Sequence, residues 1–241
     1  MKALNPREKV HKTSATLTGV FFIIAAVASI IGLKLYDPVL TSEDYLIMGA
    51  QETNKIISGA IFELILACSA VGTGIMLYPH LKKHNESLGL GYVCFRLLEV
   101  VFILIGTVSV LALLTLSNLY TKTSSPSVEY FKVTGTILKG IHDWAFMLGP
   151  NFMLGVNTFI YSYIFYHSNL VPKKLSILGI LGAILIFFAA ILEMFGVFPQ
   201  ISTAGVLIAL PIFAYEMTLA IWLIIKGFNH NTLINTATSN Y

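Results

Sequence analysis

The amino-acid sequence predicts an all-α protein: a polytopic transmembrane bundle of six spans with both termini cytoplasmic. Three observations carry this expectation. Six stretches distributed along the chain each reach the roughly 20 apolar residues that a spanning helix needs. The 241 residues are 56% hydrophobic and 11% charged, whereas a soluble domain is nearer about a quarter charged, so charge is too scarce to cover a water-facing surface. Finally, the bases gather at the N-terminus and in alternate loops, which is the signature of membrane topology. The length suits one bundle rather than two domains.

In order, a cytoplasmic tail at residues 1–13 leads into a first stretch from Ser14 to Tyr36. Lys2, Arg7, Lys9 and Lys12 before an apolar run also resemble a signal peptide, with Ala26-Val27-Ala28 as a cleavage site. The apolar run continues to Leu35, so an uncleaved first helix is expected. The second stretch runs from Lys55 to Tyr78 and the third from Leu88 to Leu116. The fourth, Phe131 to His167, contains Gly149-Pro150. Pro150 removes a backbone donor, which predicts a kink near Gly149. The fifth runs from Leu175 to Phe198, and the sixth, Ala204 to Lys226, carries Pro211 and a second expected kink. The transmembrane domain thus covers 14–226, and the polar residues 227–241 read as a disordered cytoplasmic tail. Strands are excluded because the runs are too long and do not alternate with period two.

Orientation follows from the loops. Lys82 and Lys83 lie in the second, Lys173 and Lys174 in the fourth, while the first carries Asp37, Glu43, Asp44 and Glu52. Even loops and both ends are therefore expected inside. The net charge of +3 is too small to imply nucleic acid. Cys68 and Cys94 form no CxxC and read as small buried hydrophobes. Tyr36, Tyr78, Tyr120 and Tyr166 fall at span ends, where an aromatic belt belongs. His80, His84 and His167 read as interfacial, and Gly72, Gly74, Gly179 and Gly182 as close helix-packing positions.

Charge inside the spans is the functional signal, because an intramembrane ionisable group is costly and marks a site by default. The candidates are Glu63, Arg96, Glu99, His142, Asp143, Glu193 and Glu216. From the helical rise, Glu193 lies roughly 8 Å from the outer end of its span, Glu63 roughly 12 Å, His142 roughly 15 Å and Glu216 roughly 18 Å, with Glu99 deeper. One polar cavity open to the outside is the simplest arrangement. Five carboxylates then face one permanent cation, Arg96. Arg96 and Glu99 are three apart and can pair. His142 and Asp143 point about 100° apart on a helix, so no pair is expected between them. Glu63, Glu193 and Glu216 need a proton, water, a metal or a cationic ligand.

No HExxH, Walker loop, GxSxG or paired haem histidines occur. Catalytic residues, metal ligands and cofactors stay unassigned, and the balance is against an enzyme. The leading reading is small-solute or proton-coupled transport, or ligand binding, in a polar intramembrane cavity. The alternatives are an intramembrane enzyme using carboxylates and His142 on a lipid-like substrate, with or without a metal, and a non-catalytic membrane sensor or accessory subunit. The expected partners are the lipid bilayer and a small-molecule or lipid ligand.

Four segments together resemble a known family: LYPHLKKHNESLGLGYVCFRLLE (77–99), HDWAFMLG (142–149), SNLVPKKLSILGILG (168–182) and PIFAYEMTLAIWLIIKGF (211–228). The chain is similar, from about Pro6 to Phe228, to the domain-of-unknown-function 4386 family of bacterial integral membrane proteins. The resemblance implies a multi-pass bacterial inner-membrane bundle of six helices and no particular activity. Tyr78-Pro79, Arg96, Glu99, His142, Pro172, Gly179 and Glu216 match positions that the family's pattern emphasises.

Overall fold

The computed structural model describes residues 6–124 and 127–229, with residues 6–10 described by their backbone. Part of the expected N-terminal tail and most of the expected C-terminal tail therefore lie outside the described residues. Among the described residues the chain is helical without strands. The helices are α1 (Pro6–Leu35), α2 (Asp37–Leu40), α3 (Tyr45–Gln51), α4 (Thr53–Leu81), α5 (Glu86–Lys122), α6 (Val128–Met147), α7 (Leu154–Ser168), α8 (Lys173–Met194) and α9 (Thr203–Ile225), with a π-helical turn, Leu148–Met153, between α6 and α7. Five helices are long and apolar enough to cross a membrane: α1 from His11, α4, α5, α8 and α9.

Side-chain burial identifies α5 as the spine of the bundle. Its buried residues Tyr92, Arg96, Glu99, Ile103, Gly106, Val110, Leu113 and Ser117 recur every three or four positions, which places them on one helical face. That face meets α3, α4, α6, the π turn and α7, while α1 packs between α4 and α9. The bundle closes at both ends. At one end Ala15, Leu77, Leu81, Phe165, Leu170, Leu175 and Leu223 form a cluster beside the basic loops. At the other, Tyr36, Val39, Tyr45, Ile56 and Leu113 pack beneath the acidic connection. We call these the basic and acidic ends. The outer faces carry many exposed apolar side chains, among them Ile30, Ile61, Val108, Phe188 and Val206. A belt of this extent is a liability in water and the natural surface in hydrocarbon.

The fourth apolar stretch is not one kinked α-helix, because Pro150 is absorbed by a π turn. Proline cannot bond the carbonyl four residues back, and its ring crowds that group. The freed oxygen is that of Phe146, and Gln200 Nε2 donates to it at 3.2 Å, so the carbonyl is not left without a partner. Gly149 makes the turn possible, since a Cβ there would sit 2.8 Å from Phe102 Cβ and 3.1 Å from the Glu99 carbonyl. In the sixth stretch Pro211 lies inside an uninterrupted α9.

Other expectations need correction. The first loop folds into α2 and α3, with Pro38 at the start of α2 and Val39, Tyr45 and Leu46 buried. Cys68 and Cys94 are exposed on the outer surface; in hydrocarbon an apolar stretch does not reveal which side faces inward. Tyr36 is a core residue at 1% exposure and His80 is buried at 2%. The expected disordered tail starts too early, because Phe228 is buried, and the Asn229 N–H donates to the Leu170 carbonyl at 2.9 Å. Gly72, Gly179 and Gly182 do sit at close approaches, against Phe21, Tyr215 and the Ile212 backbone, whereas Gly74 has ordinary space.

His84, between α4 and α5, is half-buried. Burial, and secondarily the Lys83 charge, hold its imidazole below the ordinary histidine range. The unfolded chain therefore binds more protons than the folded one as pH falls below about 6.5, and stability present above that pH is lost on acidification. His84→Asn is expected to flatten the acid-side fall in melting temperature, read from detergent melts of both proteins across pH.

Candidate functional site: a buried Arg96–Glu99–Glu216 cluster

One turn of α5 separates Arg96 from Glu99, and both are buried, at 3% and 4% exposure. Arg96 Nη1 donates to Glu99 Oε2 at 2.9 Å. Its Nε donates to Thr73 Oγ1 at 3.1 Å and to the Ala70 carbonyl at 3.4 Å, both on α4. The guanidinium lies 5.8 Å from the centroid of the Phe22 ring on α1, within cation–π range. Asn157 of α7 completes the group, donating from Nδ2 to Glu99 Oε2 at 2.6 Å. Four helices thus converge on one ion pair.

Glu216 of α9 faces this pair as an electrostatic neighbour of both Arg96 and Glu99. Its Oε1 is buried and has no hydrogen-bond partner. One guanidinium therefore stands against two carboxylates, and Glu99 already holds it. Tyrosines wall the cluster. Tyr161 stacks on Tyr215 with centroids 6.0 Å apart, and meets Tyr92 edge-on at 5.4 Å. The Tyr92 hydroxyl donates to Thr73 Oγ1 at 3.3 Å. Ser162 Oγ donates to the Tyr215 hydroxyl at 2.8 Å beneath Gly179. The Tyr161 hydroxyl, also buried, reaches no partner.

The remaining candidates lie elsewhere, so the seven do not line one cavity. Glu63 and His142 line a small pocket of about 10 Å³ with Tyr36, Gly106, Thr107 and Phe146, room for about one water. The Tyr36 hydroxyl there is buried without a partner. Contrary to the sequence expectation, His142 Nδ1 and Asp143 Oδ1 are 3.1 Å apart. Adjacent backbone vectors diverge, yet the two side chains bend toward each other where the helix passes from core to surface. Asp143 is largely exposed and lines a second cavity of about 400 Å³ with Trp144, Glu193 and Gln200. Glu193 Oε2 accepts from Asn151 Nδ2 in the π turn at 2.8 Å.

Depths counted along each span mislead for His142. At 37 residues, α5 is about 55 Å long, so α5 and α6 overshoot the shorter α8–α9 hairpin. Gln200, in the α8–α9 connection, reaches the Phe146 carbonyl, which puts His142 and Asp143 near the level of that connection.

Charge in apolar runs was a sufficient signal for Arg96, Glu99 and Glu216. Thr73, Asn157, Tyr161, Ser162 and Tyr215 carry no such signal, since uncharged polar residues are common in membrane helices. Asn157, amid the apolar run of α7, was the most visible of them. Among the described residues no three His, Cys, Asp or Glu side chains come together as a metal site requires.

Comparison with known proteins returns one family. No curated protein and no solved structure matches the chain. The family model described as a domain of unknown function, DUF4386, matches residues 17–227, which run from Leu17 within α1 to the end of α9 and include every residue of the cluster. The chain belongs to the DUF4386 family.

Proposed function

We propose that this is a six-span protein of the bacterial inner membrane, with both termini cytoplasmic, which couples a proton or small cation at Glu216 to binding or passage of a small solute. The observation that carries the reading is Glu216, partly buried as a residue, whose Oε1 is buried without a hydrogen-bond partner beside an arginine already paired to Glu99. An uncompensated carboxylate in such surroundings takes up a proton or a cation, and a group that must do so is equipped to release it.

Two features support the topology. Phe131 and Leu138 of α6 pack on the acidic-end cluster, while Ile164 and Phe165 of α7 belong to the basic-end cluster. The segment joined by the π turn therefore runs between the two ends and serves as a sixth crossing. Lys82, Lys83, Lys173 and Lys174 share the basic end with the start of α1, matching the bias that faces the cytoplasm.

The test is a thermal-shift comparison in detergent of wild type and Glu216→Gln across pH, divalent metals, lipids and small metabolites. The wild type is expected to respond to pH, or to one cation or solute, where the variant does not. Identical responses under every condition would leave the cluster a structural network only.

A further inference from the structure

We propose that Asp143 and His142 form a proton path from an open acid-lined cavity to the buried Glu63. The inference uses the membrane-spanning reading above but not the role given to Glu216. Two cavities meet at this pair. Asp143, with its side chain 69% exposed, lines the wider one. His142, with 6% of its side chain exposed, lines the small, partly enclosed pocket that contains Glu63. Phe146 borders both cavities and stacks on the His142 ring, with centroids 5.9 Å apart and planes at 9°. The ring therefore stands in the wall between them. Its Nδ1 is engaged by Asp143 at 3.1 Å, leaving Nε2 for the side of the small pocket.

Imidazole suits such a position because it accepts a proton at one nitrogen while releasing another from the second. In the inward direction, Asp143 takes a proton from cavity water and passes it to Nδ1. The Nε2 proton then leaves, through the single water that the small pocket can hold, for the Glu63 carboxylate. Ring reorientation or the reverse transfer resets the tautomer, and no charge is created or lost.

The small pocket has a further polar lining group, the buried Tyr36 hydroxyl, which no hydrogen bond of good geometry satisfies. The groups facing His142 are Tyr36, Glu63 from α4 and Thr107 from α5, besides Asp143 on its own helix. Lys139 is an electrostatic neighbour of Asp143, but its amine donates to the Leu40 carbonyl and lies 3.8 Å from the Tyr45 ring centroid. Glu193 of α8 shares the open cavity and is held by Asn151. No basic side chain lines the open cavity, so protons concentrate there.

The path is tested with dicyclohexylcarbodiimide, an apolar reagent that adds to protonated carboxyl groups, in vesicles sorted by orientation. The Glu63 adduct is measured by peptide mass spectrometry while the pH on each side is set separately. Acidifying the bath at the acidic end is expected to raise the wild-type Glu63 adduct several-fold. His142→Phe is expected to abolish that dependence. Asp143→Asn, a surface change that leaves the fold intact, is expected to weaken it and decides the matter if His142→Phe does not fold. A Glu63 adduct that follows only the opposite bath, or follows the acidic-end bath equally in wild type and Asp143→Asn, overturns the path. The Glu216 adduct in the same samples separates the two claims. Titration of Glu216 alongside a Glu63 unaffected by either variant sinks the path alone, and an inert Glu216 beside a responsive Glu63 sinks only the role proposed for Glu216.

Discussion

Arg96→Met is expected to be the most damaging single substitution in the protein. Methionine keeps most of the side-chain volume and fills the space against Phe22, so the loss is mainly one of charge. Hydrogen bonds between membrane helices average only about 0.6 kcal/mol each, and the bonds to Thr73 and Ala70 alone would make this a mild variant. Removing one partner of a buried ion pair instead costs roughly 3–5 kcal/mol, because the surviving charge is stranded. Here Glu99 and Glu216 would both lose their cation. The double variant Arg96→Met/Glu99→Met should recover much of the loss, since replacing a whole buried pair by apolar side chains is often neutral. Unfolding titrations of the single and double variants in bicelles measure the difference. An Arg96→Met protein as stable as wild type would mean that the guanidinium does not hold the cluster together.

Gly179→Leu is the second. A Cβ at Gly179 already meets the Tyr215 ring and Ser162 Oγ, so α8 must move away from α9 or Tyr215 must leave its place. Overpacking of a filled core costs about 1–3 kcal/mol, and the Ser162–Tyr215 hydrogen bond would be lost with it. Gly140 on α6 gives the contrast, because a Cβ there meets nothing within 4 Å. Gly140→Ala should be neutral or favour the helix by up to about 1 kcal/mol. Melting temperatures of both variants, run side by side, check the ordering, and equal effects would contradict the packing described for α8 on α9.

The helices and the central ion pair were legible in the sequence because both depend on local rules. Twenty apolar residues in a row admit few alternatives in a bilayer, and an arginine three positions before a glutamate can pair on any helix. What escaped depends on which elements meet. Pro150 announced an irregularity, but the group that meets its freed carbonyl, Gln200, lies fifty-four residues from Phe146 in the chain. Tyr36 looked like a belt residue because it ends a span, yet α2 and α3 fold over it and bury it. His142 and Asp143 were separated on the ideal helical wheel, which ignores side-chain torsions. The seven charged candidates seemed to share one cavity because depth was counted along separate spans, while the division into groups depends on which helices are neighbours and how far each overshoots.

Infrared difference spectroscopy of the purified protein in lipid, wild type against Glu216→Gln, tests the central claim most directly. The account predicts a carboxylic-acid carbonyl band that titrates, or gives way to a carboxylate band when a cation binds, in the wild type and is missing from Glu216→Gln. Spectra that superimpose at every pH and in every cation would show that Glu216 exchanges neither, and would contradict the reading of the buried cluster as a working site.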